Sequence, residues 1–303
     1  MPFELVPRVI TIVGPTAAGK SALSIALAHE LGGEVINADS MQLYRGMDIG
    51  TAKLTVDERA GVPHHLLDIW DVTVPAAVAE YQALARAAID DILSRGRVPL
   101  LVGGSGLYIR AVLEEFEFPG TDPEVRARLE EELAASGPAV LFERLKRWDP
   151  AAAASILPSN GRRIVRALEV IELTGKPFTA TLPAPTPHYP SVQIGVDRSP
   201  EDLDERIATR VDLMWAAGLV AEVRGLAERG LREGRTASRA LGYQQALAEI
   251  DGAMSETEAK DDTVRGTRRF VRRQRSWFKR DPAIHWLDGA SDTLVADALA
   301  LTG

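Results

Sequence analysis

The sequence predicts an α/β fold, a parallel sheet flanked by helices with an all-helical domain inserted into it, and three observations carry that prediction. A β-branched run, Val9-Ile10-Thr11-Ile12-Val13, enters Gly14-Pro15-Thr16-Ala17-Ala18-Gly19-Lys20-Ser21, which matches the G-x-x-x-x-G-K-[ST] phosphate loop at every fixed position. Strand and helix patterns then alternate through the first hundred residues, as in an open parallel sheet. Beyond Phe118-Pro119-Gly120 the pattern is helical with no strand until Ser191.

In order, the periodicity predicts a strand over 9–13, a helix over 20–31, a strand over 34–38, a helix over 76–95, a strand over 98–102 and a helix over 106–115. Helices over 122–148 and 162–173 make up the insertion, and its exit is marked by Pro177, Pro183, Pro185, Pro187 and Pro190. Residues 191–197 read as a strand that returns to the sheet. Helices over 201–217, 220–229, 243–250 and 255–279 and a strand near 284–287 complete the chain. The division is therefore a P-loop NTPase-like core, residues 1–117 and 191–303, and a helical insertion, residues 118–190.

Composition narrows the chemistry. The chain has 303 residues, 46% apolar and 26% charged, with no cysteine, which excludes disulfides, thiolate zinc sites and cysteine nucleophiles. Five histidines, adjacent only at His64-His65, argue against a dedicated metal cage, and these two are read as turn or cap residues. No apolar run is long enough to cross a bilayer, and Met1-Pro2-Phe3-Glu4 does not resemble a signal peptide, so a cytoplasmic protein, expected to be a monomer, is predicted. The net charge of −8 is unevenly spread: Arg265 to Arg280 holds eight basic residues and no acidic one. Eight cations without local counter-ions call for an external polyanion. Of the aromatic residues, Trp277 is expected in the core, as are Tyr108 and Tyr243, rather than as stacking platforms.

Gly14 to Ser21 predicts a polyphosphate site. The glycines let the backbone wrap an anion, the helix starting near Lys20 points its positive end at it, Lys20 adds a full charge, and the Ser21 hydroxyl suits Mg²⁺. Asp39 and Gly103-Gly104-Ser105-Gly106 also follow strands, so three segments are expected to open onto one crevice. Most such loops serve nucleoside triphosphates, yet the carboxylate that ends a strand, Asp39, directly follows the phosphate-loop helix. That position suits a group facing an acceptor. The segment from Asn37 to Lys53 is rich in polar and aromatic hydrogen-bonding groups and reads as a recognition loop.

This segment, the phosphate loop, Leu101 to Tyr108, Arg163-Ile164-Val165-Arg166-Ala167-Leu168-Glu169, Gly242-Tyr243-Gln244-Gln245 and the basic tract from Thr267 to Arg280 together resemble the tRNA dimethylallyltransferase family over nearly the whole chain. The resemblance implies transfer of a dimethylallyl group from dimethylallyl diphosphate to N6 of the adenosine 3′ to the anticodon, with tRNA as partner and Mg²⁺ as cofactor. Asp39 is implied as general base, Thr16 as a hydroxyl near the bridging oxygen, and Lys20 as the charge on departing diphosphate. Arg210 is implied as a second diphosphate cation, with an ordinary surface arginine as the competing reading. Asp39, Ser40, Met41, Gln42, Ser105, Arg126, Arg162, Arg163, Ile164, Val165 and Arg166 are implied to touch the anticodon stem-loop of tRNA.

Residue chemistry agrees. An adenine amino group must shed a proton as its new C–N bond forms, which asks for a positioned carboxylate. The base must also be drawn out of its stack, since its amino group is otherwise unreachable. For Arg162 and Arg166, on one helix face, a salt-bridged helix with Glu169 and Glu172 is the competing reading. Ala18, Ser105 and Gly161 depart from residues common in the family, and Gly161 leaves the capping of the Arg162 helix open. Lack of cysteine fits the short bacterial form. A phosphate-loop kinase and a noncatalytic tRNA-binding protein are the alternatives at this point.

Overall fold

The computed structural model describes residues 8–115, 118–178 and 186–303; the N-terminal segment, Pro183 and Pro185 lie outside the described residues. Two compact units emerge, one running up to Glu114 and resuming at Pro187, the other from Glu115 to Thr186.

The first unit begins with β1 (Val9–Val13), α1 (Lys20–Leu31), β2 (Gly33–Asn37), β3 (His64–His65), α2 (Val78–Ser94), β4 (Val98–Gly103) and α3 (Gly106–Leu113). The second contains α4 (Pro123–Trp148), α5 (Pro150–Ser155) and α6 (Gly161–Thr174). The first unit then resumes with β5 (Ser191–Asp197), α7 (Pro200–Ala216), α8 (Leu219–Glu228), α9 (Tyr243–Ile250), α10 (Glu256–Phe278), β6 (Ile284–Asp288) and α11 (Leu294–Ala300).

All six strands run parallel in the order β3-β2-β4-β1-β5-β6. The sheet is covered on both faces, which is why its strands read as apolar runs without alternation. Along β1, Val9 and Val13 enter the core formed with α2, α3, α8 and α9, whereas Ile10 and Ile12 enter the opposite core with α1 and α7. Register places Val13 beside Gly103 of β4 and Gly195 of β5, so the loops after these strands leave the sheet at one level.

His64 and His65 are not turn residues, as expected, but an edge strand paired with Val35 and Ile36. His65 Nε2 lies 2.7 Å from the buried carboxylate of Glu34, which Arg95 also grips. Two such short elements, β3 and α5, were not foreseen, nor was α11 after the last strand.

In the second unit Leu129, Leu141, Leu145, Ile164, Val165 and Leu168 share a core. Asp122 caps α4 through the Glu124 and Val125 amides, and Gly137, at φ 74°, breaks that helix ahead of Pro138. Asn160 caps α6, its side chain accepting from the Arg163 N–H at 3.2 Å. Gly161 is thus not the cap; a Cβ there would meet Leu133 at 2.7 Å, so the glycine serves close helix packing.

Candidate active site

The phosphate loop takes the conformation that its glycines demand. Gly14 has φ 138°, and a Cβ there would lie 2.1 Å from the Val196 carbonyl oxygen. Gly19, at φ 112°, starts α1, whose first turn contains no acidic residue. Ala17 is left-handed at φ 68°, a conformation that costs a non-glycine residue on the order of 1 kcal/mol. Neighbouring arginines hold it there. Arg206 Nε donates to the Ala17 carbonyl at 2.8 Å and Arg198 Nε to the Ala18 carbonyl at 2.9 Å, while Arg198 is itself braced by Asp202. With these carbonyls engaged by arginines, the acceptors of the loop are occupied and an anion meets fewer opposing dipoles there.

Three side chains complete that surface. Lys20 Nζ donates to the Pro15 carbonyl at 2.7 Å, Arg210 Nη1 donates to Thr16 Oγ1 at 3.0 Å, and Ser21 stands exposed at the rim. Burial pushes the Lys20 ammonium down to about 8; the Asp39 carboxylate opposes that shift and Arg210 adds to it. Arg210 is lowered in the same direction by burial and by Arg206. Two cations held close to each other at a desolvation penalty suit an anion as their shared counter-charge. Gly14, Pro15 and Ala18 are buried, so they contribute backbone rather than side chains.

Asp39 follows β2. Asn37 fixes the turn by donating to the carbonyls of Asp39 and Leu66 and accepting the Asp39 N–H at 2.9 Å. Asp39 Oδ1 accepts the Met41 N–H at 2.9 Å and so caps the next turn, a local role that stands beside the general-base role the resemblance implies. Only one carboxylate oxygen is used in this way; among the described residues Oδ2 has no hydrogen-bond partner. Both roles are compatible.

A crevice of about 310 Å³ joins the two halves, lined by Thr16, Lys20 and Ser21 of the phosphate loop, Arg206 and Arg210 of α7, and Asn37, Asp39 and Gln42 of the facing loop. Ser40 and Met41 stand next to it, part-exposed but outside its lining. Gln42 Nε2 donates to the Thr51 carbonyl at 3.1 Å, which folds the recognition loop back on itself. The buried Lys53 ammonium locks that loop through Asp48 and Asp68, each at 2.7 Å, and the Tyr44 carbonyl at 2.9 Å. Glu222 accepts the Asp48 and Ile49 amides and the Tyr243 hydroxyl, so the Gly-Tyr-Gln-Gln motif braces the same loop from behind. Tyr243 and Tyr108 are buried, as expected, but Trp277 is 39% exposed and is not a core residue. Its indole lies over Gly106, where a Cβ would sit 2.0 Å from Nε1.

The remaining candidates divide. Ser105 precedes α3 and its hydroxyl lies 3.5 Å from the Ser40 amide, at the edge of the loop after β2. In the second unit Arg126 and Arg166 both grip the fully buried Glu169, and Arg166 also donates to the carbonyls of Pro119 and Gly120. Arg128 pairs with Glu172. The salt-bridged reading of this helix therefore holds for Arg166, and Arg126 is engaged in the same way rather than standing open to phosphate. Ile164 and Val165 are buried in the unit's core, which closes their side chains to RNA. Arg162 and Arg163 are exposed.

The basic tract forms the second half of α10. The expected lack of counter-ions is corrected in part: Asp197 pairs with Arg275 and Lys279, Asp204 with Arg268 and Asp262 with Arg265. Arg269, Arg272, Arg273 and Arg280 are exposed and make no ion pair among the described residues. Arg273 lies over the Phe270 ring at 5.8 Å. The inner face of the same helix carries a residue that the sequence reading did not single out: Gln274 accepts the Thr16 N–H at 3.0 Å and donates to the Gly104 carbonyl at 2.9 Å. Arg198 and Arg206 were likewise missed, since their carbonyl partners lie far away in the chain.

Comparison with known proteins adds an independent line. The model of a family described as IPP transferase matches residues 42–281. A protein named tRNA dimethylallyltransferase from Salinispora arenicola is 76% identical over 96% of this chain and 85% of its own length. Another of that name, from Streptomyces avermitilis, is 69% identical over 95% of this chain and 92% of its own. Among solved structures, the tRNA isopentenylpyrophosphate transferase of Bacillus halodurans matches with a TM-score of 0.72 at 41% identity, covering 98% of this chain and 94% of that one. A eukaryotic dimethylallyltransferase described as acting on tRNA matches at 0.83 and 28% identity, covering 96% of this chain and 77% of that one.

Proposed function

This chain belongs to the IPP transferase family, and from that premise we propose that it moves a dimethylallyl group from dimethylallyl diphosphate to N6 of the adenosine at tRNA position 37, giving N6-isopentenyladenosine and diphosphate. The observation that carries the reading is the crevice in which an anion cradle, Lys20 with Arg210 and Thr16, shares a wall with the carboxylate of Asp39. A kinase could use the same carboxylate as base for a hydroxyl acceptor; the relatives, named as transferases acting on tRNA, favour the prenyl-transfer reading over it.

In the proposed reaction N6 attacks C1 of the dimethylallyl group as the bond from C1 to the diphosphate oxygen breaks. Asp39, through its free oxygen, takes the proton that N6 sheds. Lys20, Arg210 and the inward amides of the loop take up the charge that grows on the departing diphosphate. The Thr16 hydroxyl, fixed by Arg210, faces the bridging oxygen. The donor set also suits Mg²⁺: the exposed Ser21 hydroxyl is a hard oxygen ligand at the rim of the crevice, and among the described residues no group of three His, Cys, Asp or Glu forms a cage of its own. Ser21 would hold such an ion on the protein side, and with the diphosphate bound it would supply Lewis-acid stabilisation of the leaving group.

The acceptor is proposed to be the anticodon stem-loop, with phosphates on the exposed arginines of α10 and the target base drawn out toward Asp39 and Gln42. The enzyme is proposed to act as a monomer in the cytoplasm; no described helix is long and apolar enough to cross a membrane. Mass spectrometry of an unmodified stem-loop incubated with the protein, Mg²⁺ and dimethylallyl diphosphate tests this directly. A dimethylallyl adduct on the adenosine 3′ to the anticodon is expected, and ATP turnover without an adduct would return the kinase reading.

A further inference from the structure

The proposed chemistry leaves one buried polar side chain near the crevice unused. Gln274, only 6% exposed, sits on the inner face of α10 between two loops that hold opposite halves of the site. Its carbonyl oxygen takes the amide of Thr16 in the phosphate loop and its amide nitrogen gives a hydrogen bond to Gly104, in the turn after β4. The orientation is set by chemistry: turning the carboxamide over would set a donor against the Thr16 N–H and an acceptor against the Gly104 carbonyl.

Gly104 exists in a form that admits this group. A Cβ at Gly104 would lie 2.2 Å from Gln274 Nε2. The turn is in turn keyed to the acceptor wall, because a Cβ at Gly103 would lie 2.3 Å from the Ala38 carbonyl oxygen, and the Ala38 N–H donates to Val102 at 2.7 Å. Asp39 is the next residue. A short chain of contacts therefore runs from Thr16 through Gln274 and Gly104 to the strand end that presents the proposed base.

We propose that Gln274 is a positioning residue, which fixes the separation between the anion cradle and the acceptor wall. Resting on the transferase reading above, the proposal assigns it no contact with substrate. Its loss lets the phosphate loop move relative to Asp39, so C1 and N6 meet in a less productive geometry while each substrate still finds its own half of the site.

The test is a single-turnover measurement with protein in excess over stem-loop, saturating in dimethylallyl diphosphate and Mg²⁺, because that rate constant is insensitive to the fraction of protein that folds. Gln274→Leu is expected to slow transfer about 10- to 100-fold. Dissociation constants for the stem-loop and for Mg²⁺-pyrophosphate are expected to stay within about threefold of wild type. Gln274→Glu, which keeps an acceptor for Thr16 but sets a buried carboxylate oxygen against the Gly104 carbonyl, is expected to slow transfer at least as much as Gln274→Leu. Gly104→Ala expels the carboxamide and is expected to match Gln274→Leu, and the double variant to be no slower than either, since both changes break one link. A Gln274→Leu rate within about twofold of wild type, a loss confined to the dissociation constants, or multiplicative losses in the double variant would each overturn the assignment. Absence of an adduct with the wild-type protein would overturn the transferase reading itself, and this assignment with it.

Discussion

Lys20 gives the sharpest quantitative handle on the site. Its ammonium falls from an ordinary 10.5 to about 8, first because burial removes water, with the attraction of Asp39 working against this and the repulsion of Arg210 adding to it. A diphosphate restores the missing counter-charge, so the ammonium returns to its ordinary range on binding. Near pH 8 about half of the ligand-free molecules carry a neutral Lys20, and binding must draw in up to roughly half a proton per site. At pH 6.5 uptake through this group falls almost to zero. The sign follows for affinity: Mg²⁺-pyrophosphate binds best below pH 8 and weakens as pH rises through 8 toward 10, by up to about tenfold per pH unit. For stability the unfolded lysine holds its proton to higher pH than the folded one, so the ligand-free protein gains stability from pH 8 to 10.5. Below pH 8 the charged Lys20 costs at most about 3 kcal/mol. Calorimetric titration of pyrophosphate in two buffers of different ionisation enthalpy, for wild type and Lys20→Met, isolates the lysine from protons exchanged by the ligand. Equal proton uptake by the two proteins at pH 8 would refute the reasoning, as would a Lys20→Met protein no more stable than wild type at neutral pH without ligand.

Asp39→Asn keeps the oxygen that accepts the Met41 N–H but removes the proposed base; transfer is expected to slow by about 10²- to 10⁴-fold, with stem-loop affinity little changed, as read by single-turnover kinetics and a binding titration. Arg166→Met leaves the buried Glu169 with Arg126 alone, and urea unfolding should show a loss of about 2 kcal/mol; a change in RNA affinity without that loss would contradict its structural role. Replacing Arg272 and Arg273 together by Gln is expected to weaken stem-loop binding and to flatten its dependence on log salt by roughly 1 to 2, measured by fluorescence anisotropy across a salt series; an unchanged slope would remove the outer face of α10 from the interface.

The parts of the site that were legible in the sequence are those whose chemistry is local. The spacing from Gly14 to Ser21 is one turn of backbone plus a helix start, so eight consecutive residues carry the whole instruction. Asp39 could be found because a carboxylate at a parallel strand's end has one place to open. Consecutive residues of a helix do not share a fate, however, and a motif read as a block misleads for that reason: in α6, Arg162 and Arg163 are exposed while Ile164 and Val165, next in line, fill a core. The basic tract misleads in another way. Its counter-ions Asp197 and Asp204 come from β5 and α7, and proximity of that kind has no sequence signal.

The glycine turn after β4 carries this point to its mechanistic end. As sequence, Gly103-Gly104-Ser105-Gly106 reads as a turn after a strand that opens onto the ligand crevice. In the fold the reason for each glycine is a neighbour that a methyl group would strike: the Ala38 carbonyl at Gly103, the Gln274 carboxamide at Gly104 and the Trp277 indole at Gly106. Those neighbours come from the strand that presents Asp39 and from the helix whose outer face is cationic. Small residues here therefore encode close approach rather than mobility, and a rigid seam between two halves of a crevice is what a two-substrate transfer needs, since reactive atoms held a fraction of an ångström too far apart forfeit much of the rate that binding makes possible. Gly106→Ala, which disturbs Trp277 while leaving Gln274 in place, separates packing of α10 from the alignment of the cradle: if alignment is the function of this seam, that variant loses stability but keeps its single-turnover rate.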